Sequence, residues 1–170
     1  MARSNVRLDY GELQKLKEQI MLFGDPTQTD MFLTSCAKEL AARLLSKVIK
    51  RTPVGQYPEG SGKTGGTLRR GWTAGQNSNA QSFAKSMNVN KVGNDYVIEI
   101  INPVEYASYV EYGHRQQVGR YVPAIGKRLV QPYVPPKYFV KKTEEAFEPK
   151  INEYAKATLE KYLQGVLDGK

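Results

Sequence analysis

Apolar residues recur every three or four positions from Phe32 onward: Phe32, Leu33, Cys36, Ala37, Leu40, Ala41, Leu44, Leu45, Val48 and Ile49. That period predicts one long amphipathic helix, with Lys38, Glu39, Arg43, Lys47 and Lys50 on its polar face. Asp25 before Pro26 supplies an N-cap and a first-turn proline. Pro53 disfavours helical geometry at Thr52, so the helix should end at Arg51. A shorter helix is predicted ahead of it. Asp9 and Glu12 have capping-box spacing, Leu13, Leu16 and Ile20 share a face, and Gly24 is a natural stop. The last long helix is expected to open near Pro135-Pro136. Phe139, Thr143, Phe147, Ile151, Tyr154, Ala155, Leu159, Tyr162, Leu163 and Val166 hold phase across Pro149, which should kink the helix without breaking it.

The middle of the chain has a different rhythm. Thr52 to Gly66 is rich in glycine and proline and predicts a long loop. Leu68 to Ala74 around Trp72, Phe83 to Val89, and Tyr96 to Ile101 after a Gly93-Asn94-Asp95 turn read as three strands of an antiparallel meander, closed by Asn102-Pro103. Val104 to Tyr112 fits a short helix or turn with Tyr106, Tyr109 and Val110 docked on the core. His114 to Pro136 predicts a second long loop, folded back as a hairpin, with Leu129 to Val134 as a candidate fourth strand. These elements imply an α+β fold. An antiparallel sheet of three to four strands would pack against the long second helix and the C-terminal helix. Residues 1–24 are expected to form a helical arm and residues 25–170 one domain.

Composition narrows the function. One cysteine, Cys36, excludes an intrachain disulfide framework and a cysteine-based zinc cluster. A single histidine, His114, gives no His-rich metal site and no evident nucleophile partner. Glu105 and Glu111, six apart, do not share a helical face as an acid–base pair. Gly60-Ser61-Gly62-Lys63-Thr64 imitates a phosphate-binding loop, but Tyr57 stands where the first glycine is required. It also follows a helix instead of a strand. The expectation is therefore a protein that is not an enzyme and carries no cofactor or metal. No apolar run is long enough to predict a membrane helix, and the N-terminal residues lack the apolar region of a secretory signal.

The net charge of +8 invites an anionic partner. No Asp or Glu occurs from Gly60 to Asn94 or from Tyr112 to Thr143. Arg69, Arg70, Arg115, Arg120, Lys127 and Arg128 in these stretches are the candidate residues facing DNA or an acidic neighbour. Tyr109, Tyr112, Tyr121, Tyr133, Tyr138 and Phe139 interleave with the later cations. That mixture suits a protein interface, where Tyr and Arg are favoured anchors, and also suits a nucleic-acid-binding module.

Three segments carry a resemblance. The first is Arg51-Thr52-Pro53-Val54, followed by Gly66-Thr67-Leu68-Arg69-Arg70-Gly71-Trp72. The second is Asn102-Pro103-Val104-Glu105-Tyr106-Ala107-Ser108-Tyr109-Val110-Glu111-Tyr112-Gly113. The third is Pro135-Pro136-Lys137-Tyr138-Phe139-Val140. In this order they resemble the head–tail joining, tail-completion and tail-terminator proteins of long-tailed bacteriophages and prophages, also described as minor tail components. The resemblance implies a structural virion protein in a sixfold ring, a hexamer, at the head-proximal end of the tail. Its implied partners are copies of itself, neighbouring neck, connector and tail-tube proteins, and packaged DNA, with no membrane. The motif positions implied to be structural are Thr52, Pro53, Val54, Gly66, Leu68, Trp72, Tyr106, Ala107, Val110, Glu111, Gly113, Pro136 and Phe139. On this reading Leu68 and Trp72 share a strand face, Arg69 faces outward toward a partner, and Glu111 pairs with a basic neighbour.

Overall fold

The computed structural model describes residues 26–57, 59–60, 62, 64–76, 78–123 and 126–167. The short helix expected within residues 9–24 lies outside them. Helix α1 is described over Pro26–Arg51 and ends where Pro53 predicts. Its stripe is the centre of the core: Phe32, Leu33, Cys36, Leu40, Ala41, Leu44, Leu45 and Val48 are buried, and Ala37 and Ile49 half-buried. Leu40 and Leu45 are completely inaccessible, each stabilising the fold by about 1.5–3 kcal/mol relative to exposure.

The expected strands around Trp72 and Phe83 are helices. Helix α2 spans Thr67–Gly71 and α3 spans Ala80–Ser86. Leu68 and Trp72 do share a buried face, because an i, i+4 pair falls on one side of a strand and of a helix alike. In the second case the period decides. Ala84 is buried and Ala80, Phe83 and Met87 pack beside it, which is helical spacing, and Asn79 Oδ1 caps the helix by accepting from Ser82 N at 2.8 Å.

Strands β1 (Asn90–Val92) and β2 (Asp95–Val97) form a hairpin across Gly93-Asn94, pairing Asn90 with Val97 and Val92 with Asp95. After the short helix α4 (Ala107–Tyr112), β3 (His114–Arg115) pairs with β6 (Tyr133–Val134), and β4 (Tyr121–Val122) with β5 (Lys127–Arg128). The fold is thus α+β, with its strands in three two-stranded antiparallel ladders among the described residues, not in one meander. Helix α5 (Lys141–Phe147), a 3₁₀ turn at Glu148–Lys150 and α6 (Ile151–Leu167) follow. The turn contains Pro149, and the stripe continues through it: Phe147, Ile151 and Ala155 are all buried. Helices α3, α5 and α6 pack on α1. Phe32 meets Tyr162 at 5.0 Å between ring centroids, and Trp72 stands edge-on to Phe139 at 6.3 Å.

The end of α1 is held by one hydroxyl. Thr52, fully buried, donates its Oγ1 to Val48 O at 2.6 Å and accepts from Trp72 Nε1 at 2.8 Å. Thr52→Val removes the acceptor and leaves the buried indole N–H unpaired. It is expected to lower stability by about 1–3 kcal/mol, measured by urea unfolding followed through the fluorescence of Trp72, the single tryptophan.

Cys36 is buried in the α1 stripe, and its thiol pKa is pushed up to about 11, first by burial and then by Glu39. The native thiol keeps its proton to higher pH than an unfolded one. This contribution is complete below about pH 9 and lost as pH rises through about 11. Iodoacetamide at mildly alkaline pH is expected to leave Cys36 unlabelled in the folded protein and to label it fully in urea.

Candidate functional site

The three motif segments, far apart in sequence, meet at one place. The anchor is Glu111, whose side chain is wholly inaccessible to solvent. Its Oε2 accepts from Val140 N at 2.9 Å and its Oε1 from Lys141 N at 3.0 Å. The carboxylate therefore caps the start of α5, where unpaired amides and the helix dipole favour negative charge. The clasp is reciprocal. Lys137 N donates to Val110 O at 3.0 Å and Tyr138 N to Glu111 O at 3.1 Å, so the end of α4 and the start of α5 complete each other. This corrects two expectations. Glu111 has backbone amides as its partners, not a basic side chain. The last helix begins at Lys141 instead of Pro135, because the preceding segment is committed to the clasp. Tyr138 even adopts φ 50°, a left-handed value uncommon for a residue with a side chain.

The inward face of α4 is Ala107 and Glu111, both buried, with Val110 half-buried. Tyr106 and Tyr109, expected on the core, are 43% and 57% exposed. They line a cleft of about 290 Å³ with Pro53, Val54, Gly66, Leu68, Val110, His114, Val134, Pro135 and Lys137. All three motif segments contribute to this lining. His114, outside the core but half-buried, stands edge-on to Tyr109 at 5.5 Å. The charge is scarce and the rings are many, which is the composition of a contact surface.

From the cleft rises an arm. His114 to Val134 folds back on itself through the β3–β6 and β4–β5 ladders. Between them Gln116 N donates to Pro132 O at 2.9 Å, Gly119 N to Leu129 O at 2.8 Å, and Leu129 N to Arg120 O at 2.9 Å. Gly119 and Arg120 therefore both oppose Leu129, a bulge that Gly119 enables with φ 84°. Up to ten residues a side make the arm roughly 30 Å long. Val118, Tyr121, Val130 and Tyr133 are exposed on it, Val130 at 81%. The interleaving of cations and rings becomes cross-strand pairing: Arg115 opposite Tyr133 and Arg128 opposite Tyr121.

The six candidate cations divide. Arg115, Arg120, Lys127 and Arg128 are exposed on the arm, Arg128 donating to Gly119 O at 2.8 Å. Arg69 does not face outward. It is half-buried, and its Nε and Nη2 donate to Thr52 O at 3.2 and 2.8 Å, fixing the chain as it leaves α1. Arg70 is exposed and donates to Gly65 O at 3.2 Å. Of the motif positions, Thr52, Leu68, Trp72, Ala107, Glu111 and Phe139 are buried, and Pro53, Gly66, Val110, Gly113 and Pro136 half-buried. Asn102 was missed as a structural residue. It is buried, its Nδ2 donates to Leu68 O at 2.8 Å, and its Oδ1 accepts from Val104 N at 3.2 Å. Among the described residues no cluster of His, Cys, Asp or Glu is placed to hold a metal ion, and no helix is long and apolar enough to cross a membrane.

Two substitutions test this clasp. Glu111→Ala strands two amides at the α5 start and is expected to cost about 3 kcal/mol in urea unfolding, with Glu111→Gln in between. Gly113 has φ 74°, and a Cβ there would lie 2.6 Å from Tyr133 Oη and Val134 O. Gly113→Ala is expected to cost at least about 2 kcal/mol.

A family model described as "Bacteriophage HK97-gp10, putative tail-component" matches residues 3–113. No curated protein matches the chain, and no solved structure does. The matched span takes in α1, the loop after it, α2 to α4 and the glycine at the root of the arm, and it exceeds half of the 170 residues. With the first two motif segments inside that span, the chain belongs to the HK97-gp10-like family of bacteriophage tail components.

Proposed function

We propose that this tail component is a structural subunit of a ring at the head-proximal end of the phage tail. It completes or terminates the tail and joins it to the head. Membership of a tail-component family supports a structural role in the virion. The observation that carries the finer reading is the pairing of an aromatic cleft with an uncovered arm on one subunit. A two-stranded arm standing free in water is marginally stable, and its exposed valines and tyrosines become favourable only against a partner. An arm of one subunit seated against the cleft of the next makes a heterologous, head-to-tail contact, and such contacts form a ring when the rotation between subunits closes. Six copies is the number in this reading. The neighbours above and below are connector and tail-tube proteins, and the cationic arm residues supply electrostatic steering toward them. Binding of the partners, not turnover of a substrate, is the work done.

The test is complementation in a producing strain with Arg115→Glu, Arg120→Glu, Lys127→Glu and Arg128→Glu combined. Filled heads and unjoined tails are expected to accumulate, while circular dichroism and unfolding of the purified variant stay close to the parent. Normal yields of joined virions from a folded variant would refute the role of the arm in joining.

A further inference from the structure

Among the described residues, the exposed large apolar side chains are absent from one face. None of them lies along the outer side of α1 between α3 and α6. That face is a groove instead, made of two adjoining hollows of about 400 and 480 Å³. They share Glu39, Ala42, Arg43 and Gln81, so they form one channel. Helix α1 is the floor, from Ser35 to Lys50, about 22 Å at 1.5 Å per residue.

Its lining is cationic: Lys38, Arg43, Lys47 and Lys50 come from α1, Lys85 from α3 and Lys161 from α6. One carboxylate, Glu39, lines it too, and it pairs with Arg43 at 2.9 Å. The remaining lining is small or amide- and hydroxyl-bearing, including Ser35, Ser46, Asn79, Gln81 and Thr158. The two rings present are already engaged. Tyr154 lies under Arg43 and Lys47, at 4.7 and 5.6 Å to its centroid, and Tyr162 packs on Phe32.

We propose that this groove binds the sugar–phosphate backbone of double-stranded DNA, without reading its sequence. Cations distributed along three helices match a repeating anion and not a single one. Over about 22 Å of its axis a duplex presents phosphates of both strands, roughly one per 1.7 Å, more than the six cations of the groove can neutralise. An acidic protein partner is disfavoured by the lining itself, because stable protein interfaces are built around a desolvated apolar or aromatic anchor. The groove offers none, whereas the cleft and arm offer several. Polar side chains and lysines without base-reading geometry are what sequence-independent phosphate contact requires. The site is independent of the ring reading: a subunit that forms no ring would still carry it, and its test needs only the purified chain.

The test is fluorescence anisotropy with a random-sequence duplex of about 20 base pairs, at about 50 and 200 mM salt. The parent protein is expected to bind, losing about 10²- to 10³-fold in affinity between the two conditions as four to six phosphates are neutralised. Combined Lys50→Glu, Lys85→Glu and Lys161→Glu should weaken binding by about tenfold or more and flatten the salt slope. The milder triple glutamine variant guards against loss of fold and should give an intermediate effect. The fourfold arm variant should bind like the parent or with a small loss. Absence of binding by the parent, groove variants that bind as the parent does, or tighter binding of a polyglutamate peptide than of the duplex would each overturn the assignment.

Discussion

The carboxylate of Glu111 ties together parts of the chain that the sequence keeps far apart. It sits where solvent cannot reach, and its two oxygens accept from the amides of Val140 and Lys141 where α5 begins. Burying a charge is costly without full compensation. Here the compensation is two charge-assisted hydrogen bonds and the positive end of a helix. Because the same residue lies in the last turn of α4, the clasp fixes the angle at which the arm leaves the body. It also fixes where the C-terminal helices begin, and so where Phe139 meets Trp72. Thr52 plays the matching role at the end of α1, where its hydroxyl joins that helix to Trp72 and its carbonyl receives Arg69. Between them these two buried polar residues set the walls of the aromatic cleft.

With the scaffold fixed this way, the surface separates into two chemistries. Exposed rings and valines gather on the cleft and arm. Lysines gather in the groove of α1, α3 and α6, which among the described residues has no exposed apolar anchor. The first chemistry suits association with protein through desolvation. The second suits a polyanion through counterion release. In the proposed position between tail and head, such a subunit would meet both protein neighbours and DNA.

Much of this was legible in the sequence. The long helix was, from its unbroken 3.6-residue period and the proline after its end, and so was the stripe running past Pro149, although a 3₁₀ turn there divides the expected single kinked helix into α5 and α6. The segment after Thr52 was legible as loop, and His114 to Pro136 as a folded-back hairpin. The misreadings have physical causes. Leu68 and Trp72 are four apart, a spacing that both periodicities satisfy, so the pair was right and the element wrong. Phe83, Lys85, Met87 and Val89 alternate, yet Ala80, Phe83, Ala84 and Met87 carry the burial, and small alanines are a quiet signal. In α4 the eye follows tyrosines, while the packed face is Ala107 and a glutamate that hydrophobicity alone would place outside. Arg69 and Glu111 could not be assigned from sequence because their partners are backbone atoms, which carry no residue identity. The basic groove was missed for another reason: its cations come from three helices, and only the tertiary packing lines them up.

In the proposed function this chain works as an assembled part of the virion, between tail and head. Cryo-electron microscopy of mature particles from the producing phage tests it most directly. The account predicts density for this fold as a closed ring at the junction of tail tube and head connector, with each arm seated against a neighbouring subunit. Particles that lack the chain, or that carry it at the distal tip of the tail, would contradict it.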